Sequence, residues 1–197
     1  MEIAPVTLTG SVVRLEPLSE QHAPDLTVAA HDERIWRYML YAYPEDEEKM
    51  LAWVRDILAR QAAGADLAFA VIHLASGRAI GATRYLEIRP EHRSLEIGGT
   101  WYATGFQRTA VNTECKYLML KHAFEVLGCI RVQFKADARN LRSLLTGYRA
   151  PGRGARGRAA QSLHFARWVL PGFCLLQHTG QRVAESQRAI GRNAEVT

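Results

Sequence analysis

Hydrophobic positions between residues 11 and 137 recur with two alternating periods, one of two residues and one of roughly 3.6. SVVRLEPL (11–18) alternates and stops at a proline, which predicts an opening strand, and Ser19 stands where the cap of a helix over SEQHAPDLTVAA belongs. EDEEKMLAWVRDILARQAA has acids in its first turn, with Met50, Leu51, Val54, Ile57 and Leu58 near helical spacing, and predicts a helix. DLAFAVIHLA and RAIGATRYLEI are β-rich runs joined by SGR, with Ser76 and Gly77 at the turn of a hairpin. SLEIGGTWYA (94–103) extends them into a three-stranded meander. TAVNTECKYLMLKHAFEVLG (109–128) sets Val111, Cys115, Leu118, Met119, Ala123 and Val126 on one broad face, with Gly128 at a C-cap, and predicts a largely buried helix. CIRVQFKAD (129–137) follows as a strand with Ile130, Val132 and Phe134 on one face. Strand, helix and strand in that order make a crossover unit, so the expected class is mixed α/β, a central mixed sheet flanked by helices.

After Ser143 this pattern dissolves into Gly, Arg, Ala and Pro. The formal net charge of +5 resides there: residues 1–143 hold 17 Lys+Arg against 18 Asp+Glu, whereas residues 144–197 hold 8 Arg, no Lys and 2 Glu. A body of balanced charge argues against a domain that wraps nucleic acid, whose basic side chains line the folded surface. GYRAPGRGARGR keeps one alternative open, an RNA-binding module acting through an Arg/Gly-rich tail. At 197 residues and 48% hydrophobic, the chain is expected to hold one domain, residues 1–143, followed by a basic segment, 144–197. Apolar runs such as LAFAVI fall short of the roughly 18 residues of a spanning helix, so no membrane partner is expected. Three cysteines, Cys115, Cys129 and Cys174, form neither a disulfide framework nor a CxxC site and fit a reducing cytoplasm. The seven histidines are scattered, and no metal site is expected.

Chemistry concentrates in EIGGTWYATGFQRTAVNTECKYLMLKHAFEVLG, a strand, a short polar turn and a long helix. A helix N-terminus offers unsatisfied N–H groups and partial positive charge, and QRTAVNT adds Arg108 and small residues, which outlines a phosphate site. Gln107, Arg108, Asn112 and Thr113 serve equally well as the cap and solvated first turn of a helix.

Six segments in one order, LTGSVVRLEPLSEQH, SGRAIGATRYLEI, EIGGTWY, FQRTAVNTECKYLML, AFEVLGCIRV and DARNLRS, resemble the GNAT superfamily of N-acetyltransferases, in the branch of ribosomal-protein N-terminal acetyltransferases. The resemblance spans residues 8–143. It implies acetyl-coenzyme A as donor, with its pyrophosphate cradled by the loop Gln107, Arg108, Thr109, Ala110, Val111, Asn112 and Thr113. The family's loop has Gly or Ala at the two small positions; here they are Ala110 and Asn112, and the asparagine would crowd or further bond the phosphate. The strand carrying Thr100, Trp101 and Tyr102 is expected to splay from its neighbour and pair its backbone with the pantetheine arm, and Asn140 and Ser143 match the family's Asn-x-x-Ser near the cofactor.

An amine attacks a thioester only when neutral, which makes a base useful. The resemblance offers Glu96, acting through water; its bland reading is a strand-end surface charge. Glu114 reads as a helix-dipole residue and Cys115 as core, so direct transfer without an acyl-cysteine is implied. The acceptor is an amine, either a protein N-terminus or a small molecule, roofed by Trp36, Tyr38, Tyr41 and Tyr43 in IWRYMLYAYP, which serve equally as ordinary packing. A homodimer stays open, as does a cofactor-binding protein without catalysis.

The family continues past NLRS with a helix and two strands that this chain lacks in recognisable form. The expectation is therefore a sheet with its last strands absent or disrupted, with SLHFARWVLPGFCLL a run able to collapse onto the exposed edge of the fifth strand, and weak activity and solubility. Codons permissible for residues 163–190, read one base later, encode a strand, a Pro-Asp-Gly turn, a strand and a helix, which points to a reading-frame change after Ser143.

Overall fold

A computed structural model describes residues 1–137, 139, 140, 166–170 and 173–179. Its strands are β1 (Leu8–Thr9), β2 (Val13–Pro17), β3 (Leu67–His73), β4 (Arg78–Arg89), β5 (Ser94–Tyr102), β6 (Arg131–Asp137), β7 (Ala166–Leu170) and β8 (Phe173–Thr179). They form one sheet in the order β1-β2-β3-β4-β5-β6-β8-β7. Every pairing is antiparallel except β5 with β6, which is parallel. The helices are α1 (Ala23–Ala29), α2 (Glu47–Ala62) and α3 (Ala110–Lys121), the last running on into a π-helical turn, His122–Val126.

From β2 to β6 the sheet buries both faces, and the strand pattern says which helix lies on each. Ala68, Ala70, Ile72, Ala79, Ala82 and Trp101 face α1 and α2, where they pack with Leu26, Met50, Val54 and Ile57. The small side chains of β3 and β4 on this face let two helices approach closely. Larger groups on the other face, Phe69, Val71, Tyr85, Leu95 and Ile97, pack against Val111, Cys115 and Met119 of α3 and Ala123 of the π-helical turn. Asp46 caps α2 by accepting a hydrogen bond from the Lys49 amide at 2.8 Å.

The mixed α/β sheet between helices is the expected class. At its end, where the last strands are expected absent or disrupted and SLHFARWVLPGFCLL is the run able to collapse onto the open edge, β8 pairs with the whole of β6, from Arg131↔Thr179 to Asp137↔Phe173, and β7 pairs with β8. ARWVL and FCLLQHT are rich in aromatic, β-branched and leucine residues and are separated by two residues, Pro-Gly, a hairpin signal. An open β6 edge is a template that such runs satisfy. The Arg/Gly-rich stretch 144–160 and Ser143 lie outside the described residues.

Two side chains depart from the expected faces. Val126 is 72% exposed, because the π-helical turn adds residues per turn and rotates it off the buried stripe of α3. Ile130 is 55% exposed: it precedes β6, after Gly128 turns the chain at φ +68°, and so falls outside the two-residue period.

Candidate functional site

The parallel ladder between β5 and β6 has three rungs, Ser94↔Arg131, Leu95↔Val132 and Glu96↔Gln133. Both strands run on, β5 to Tyr102 and β6 to Asp137, but no further rung joins them. Beyond Glu96 the β6-facing edge of β5 therefore has no strand partner among the described residues, with Glu96 and Gln133 at the apex of the fork. A β-bulge marks the same place. Ala82 pairs with Trp101 and Arg84 with Gly98, so β5 carries one extra residue here, and Gly99 adopts φ +58° within it. A side chain at Gly99 would be strained by that φ, and its Cβ would lie 2.6 Å from Arg84 Nε.

Helix α3 starts beside the fork's open end. Thr109 is its N-cap; the Thr109 hydroxyl donates to the Phe106 carbonyl at 2.7 Å and accepts from the Val111 amide at 3.3 Å. A helix leaves its first four amides without intrahelical partners, so those of Thr109, Ala110 and Asn112 remain available within this turn. Gln107 Nε2 donates to the Tyr102 carbonyl at 3.1 Å, tying the loop to β5. Arg108 is exposed, with φ +64°. The Asn112 side chain is engaged within the protein, its Oδ1 accepting from the Tyr102 hydroxyl at 3.4 Å. Thr113 and Ala110 are exposed, whereas Val111 is buried and offers only backbone.

Glu114 does more than complement a helix dipole. Its carboxylate accepts hydrogen bonds from the amides of Ser11, Val12 and Val13, each at 2.8 Å, and from the Ser11 hydroxyl at 2.6 Å. It clasps the β1–β2 turn to α3, and a Cβ at Gly10 would stand 2.4 Å from its carboxyl carbon. Partial burial pushes the Glu114 carboxyl upward, but the bonds from Ser11, Val12 and Val13 hold it below the usual range. A depressed folded-state value gives stability that is present above the unfolded value and lost as pH falls through the folded one. Glu114→Ala is thus expected to cost about 2 kcal/mol at neutral pH. In urea titrations the gap from wild type should shrink below about pH 4.3; a gap independent of pH would rule out the clasp as its source.

Glu96 is 5% exposed and accepts from Gln133 Nε2 at 3.2 Å. Burial pushes its carboxyl above the usual range, and the Gln133 bond pulls it partly back. It is no strand-end surface charge. The register puts Glu96, Gly98 and Trp101 on the α1/α2 face, beside Leu86, Arg84 and Ala82 of β4. On that face lies an aromatic cluster. Trp36 stands 5.0 Å from Trp101 and 6.4 Å from Tyr43, Trp53 stands 5.9 Å from Trp101, and Tyr41 lies 6.3 Å from Trp53 and 4.9 Å from the Arg84 guanidinium. Tyr38 spans the other way, 6.0 Å from the guanidinium of Arg139 just past β6. Arg84 is 3% exposed and donates to Asp66 at 2.7 Å, and Arg60 donates to the same carboxylate at 3.0 Å. Burial lowers Arg84 to about 10, so it stays charged at neutral pH.

The fold thus gathers Glu96, Thr100, Trp101, Tyr102 and the loop Gln107 to Thr113 around one fork. Trp101 points into the aromatic cluster and Tyr102 into the α3-side core, and the Thr100 hydroxyl pairs with that of Thr83 on β4 at 2.8 Å, which leaves the backbone of these residues toward the gap. Asn140 is half-buried in the turn after β6, its amide bonded to the Asp137 carbonyl at 2.9 Å. Sequence reading overlooked Gln133, Asp66, Arg84 and Trp53. Gln133 carries no local signal, since its partner is 37 residues away, but an Asp before β3 and an Arg within the buried run of β4 were visible as charges in apolar company. Among the described residues no His/Cys/Asp/Glu group can hold a metal ion, and no helix is long and apolar enough to cross a membrane.

The family model described as Acetyltransferase (GNAT) domain matches residues 13–145. The chain is similar to a GCN5-related N-acetyltransferase from Brucella melitensis, at TM-score 0.80 and 22% identity, covering 96% of this chain and 86% of that one. A protein from T. thermophilus assigned as an acetyltransferase gives TM-score 0.76 and 27% identity, over 98% and 99% of the two chains. RimL, a ribosomal L7/L12 alpha-N-protein acetyltransferase, gives TM-score 0.68 at 14% identity, over 89% and 94%. No curated protein matches the chain.

Proposed function

Since the chain belongs to the GNAT acetyltransferase domain family, we propose that it transfers acetyl from acetyl-coenzyme A directly to a primary amine, with Glu96 as the proton acceptor. The observation that carries this reading is the fork at Glu96↔Gln133, where an unpaired β5 edge and a buried carboxylate meet next to a helix start with free amides.

The residues fit the cofactor. The amides of Thr109, Ala110 and Asn112 suit a pyrophosphate, with Arg108 adding charge and Gln107 fixing the loop. The backbone of Thr100, Trp101 and Tyr102 suits an extended amide-bearing arm, and Asn140 would flank it. When bound, acetyl-coenzyme A supplies the acetyl group as an activated thioester. Glu96 takes up the proton the amine must lose, through a water, and its upward displacement brings its basicity closer to that of an α-amine, whose pKa is about 8. Burial pushes the Cys115 thiol up to about 12, which keeps it a thiol and supports transfer without an acyl-cysteine.

The acceptor fits under Trp36, Tyr41, Tyr43 and Trp53 on the Glu96 face. A protein N-terminus and a small-molecule amine both suit that roof. A reading-frame change after Ser143 belongs to the same proposal, and sequencing codons 138–165 decides it.

Thermal unfolding of the full chain tests the binding half. Acetyl-coenzyme A at about 100 times its dissociation constant should stabilise by roughly 2.7 kcal/mol, a rise of a few degrees in Tm. No rise at millimolar cofactor, combined with RNA binding that falls steeply with salt, would overturn the enzyme in favour of an RNA-binding protein.

A further inference from the structure

Glu96 lies at the last point where two strands touch, and a carboxylate there needs something to aim it. Its two oxygens meet different neighbours. Oε2 accepts the Gln133 side-chain amide at 3.2 Å across the final parallel rung. Oε1 lies against Gly98, two residues on along the same face of β5, where an added Cβ would stand 2.9 Å from it. Glycine at 98 has an ordinary strand φ, so its lack of a side chain reflects room and not backbone conformation. We infer that Gln133 is the positioning residue for the Glu96 carboxylate, holding Oε2 at the apex of the fork, while Gly98 clears the space that Oε1 occupies.

This rests on the reading of Glu96 as proton acceptor. Gln133 is suited to the task because an amide N–H favours the ionised carboxylate without adding a charge that would pin it. A lysine or arginine at 133 would form an ion pair and make Glu96 a weak base. The charged groups that act on Glu96 are Arg84 and Glu87 from β4 and Lys135 from β6. Arg84 is itself engaged by Asp66, and Glu87 and Lys135 oppose one another in sign. Gln133 is the neutral group among them that bonds the carboxylate directly.

The test is the pH dependence of kcat/KM for acetyl transfer to one peptide or amine acceptor, using the full chain. Gln133→Met keeps the length of the side chain and removes the donor. The acidic limb of the profile should then move to higher pH by roughly half a unit to one unit, so that the loss is about 3-fold to 10-fold on that limb and vanishes at high pH. Gln133→His, which restores an N–H donor, should bring the limb back toward wild type. A Cβ at 98 displaces the carboxylate instead of retuning it, so Gly98→Ala should lower kcat roughly tenfold or more at every pH. Leu86 Cδ1 would also crowd that Cβ, at 2.7 Å, so Gly98→Ala is repeated with Leu86→Ala to remove the second clash. Glu96→Gln separates the two levels. If it keeps the wild-type rate, the reading of Glu96 fails. If it is slow while Gln133→Met gives a profile that superimposes on wild type, the positioning role fails and the reading stands.

Discussion

Glu96→Gln lowers kcat/KM by roughly 100-fold or more at neutral pH while Tm stays the same or rises. The two halves have one cause. A carboxylate at the apex of the fork, 5% exposed, is held above its usual range by burial. A raised folded-state value contributes stability below the unfolded value and loses it as pH rises through the folded one, so at neutral pH the ionised group burdens the fold. Glutamine removes the charge and keeps the shape. It still offers an oxygen to Gln133, so the fork survives while the proton acceptor is gone. Activity lost together with a large fall in Tm would mean that Glu96 serves the fold instead. In wild type the rate should climb with pH through a midpoint above the ordinary carboxylate range, and that climb should be absent in the variant.

Asp66→Ala is expected to destabilise the chain by about 3–5 kcal/mol, the largest effect of any single substitution considered. Arg84 and Asp66 are each 3% exposed, and the Arg84 Nη1 to Asp66 Oδ2 contact is 2.7 Å. Without the carboxylate the buried guanidinium loses the acceptor it is bonded to, because Arg60, the other donor to Asp66, has the same sign and Glu96 acts on Arg84 only through space. Asp66→Asn keeps an acceptor and should cost less. Pairing Asp66→Ala with Arg84→Met should recover much of the loss, since the buried charge goes with its partner. Chemical denaturation measures all three, and a cost under about 1 kcal/mol for Asp66→Ala would contradict a buried pair. Activity should follow stability here, because Arg84 packs beneath Gly99, and the β5 bulge that shapes the fork leans on it.

Elements with a strong period were legible from residues alone. The acids of EDEEKM open α2 where expected, and the SGR turn joins β3 to β4. What local pattern could not supply was anything set by register between distant strands. Glu96 stood out through its place in EIGGTWY, but the neighbour that holds it, Gln133, is chosen by the parallel pairing of β5 with β6. Glu114 looked like a dipole residue because its true partners, Ser11 to Val13, are about a hundred residues back. Trp53 falls within the predicted helix EDEEKMLAWVRDILARQAA, and its contact with Trp101 depends on how α2 lies across the sheet. At the end of the sheet the apolar run SLHFARWVLPGFCLL is visible in the sequence as one able to collapse onto the open edge of β6, but its register against Arg131 to Asp137 is a long-range pairing that no local pattern carries.

The most direct test is an intact-mass time course. The full 197-residue chain is mixed with acetyl-coenzyme A and a panel of peptides with free N-termini, amino acids and small amines, and free coenzyme A thiol is followed in parallel. Direct transfer gives an acceptor heavier by one acetyl group, one thiol released per product, and no acetyl on the protein at Cys115. Cofactor binding with no acetylated acceptor across the panel, or an acetyl-cysteine that forms before product, would contradict it.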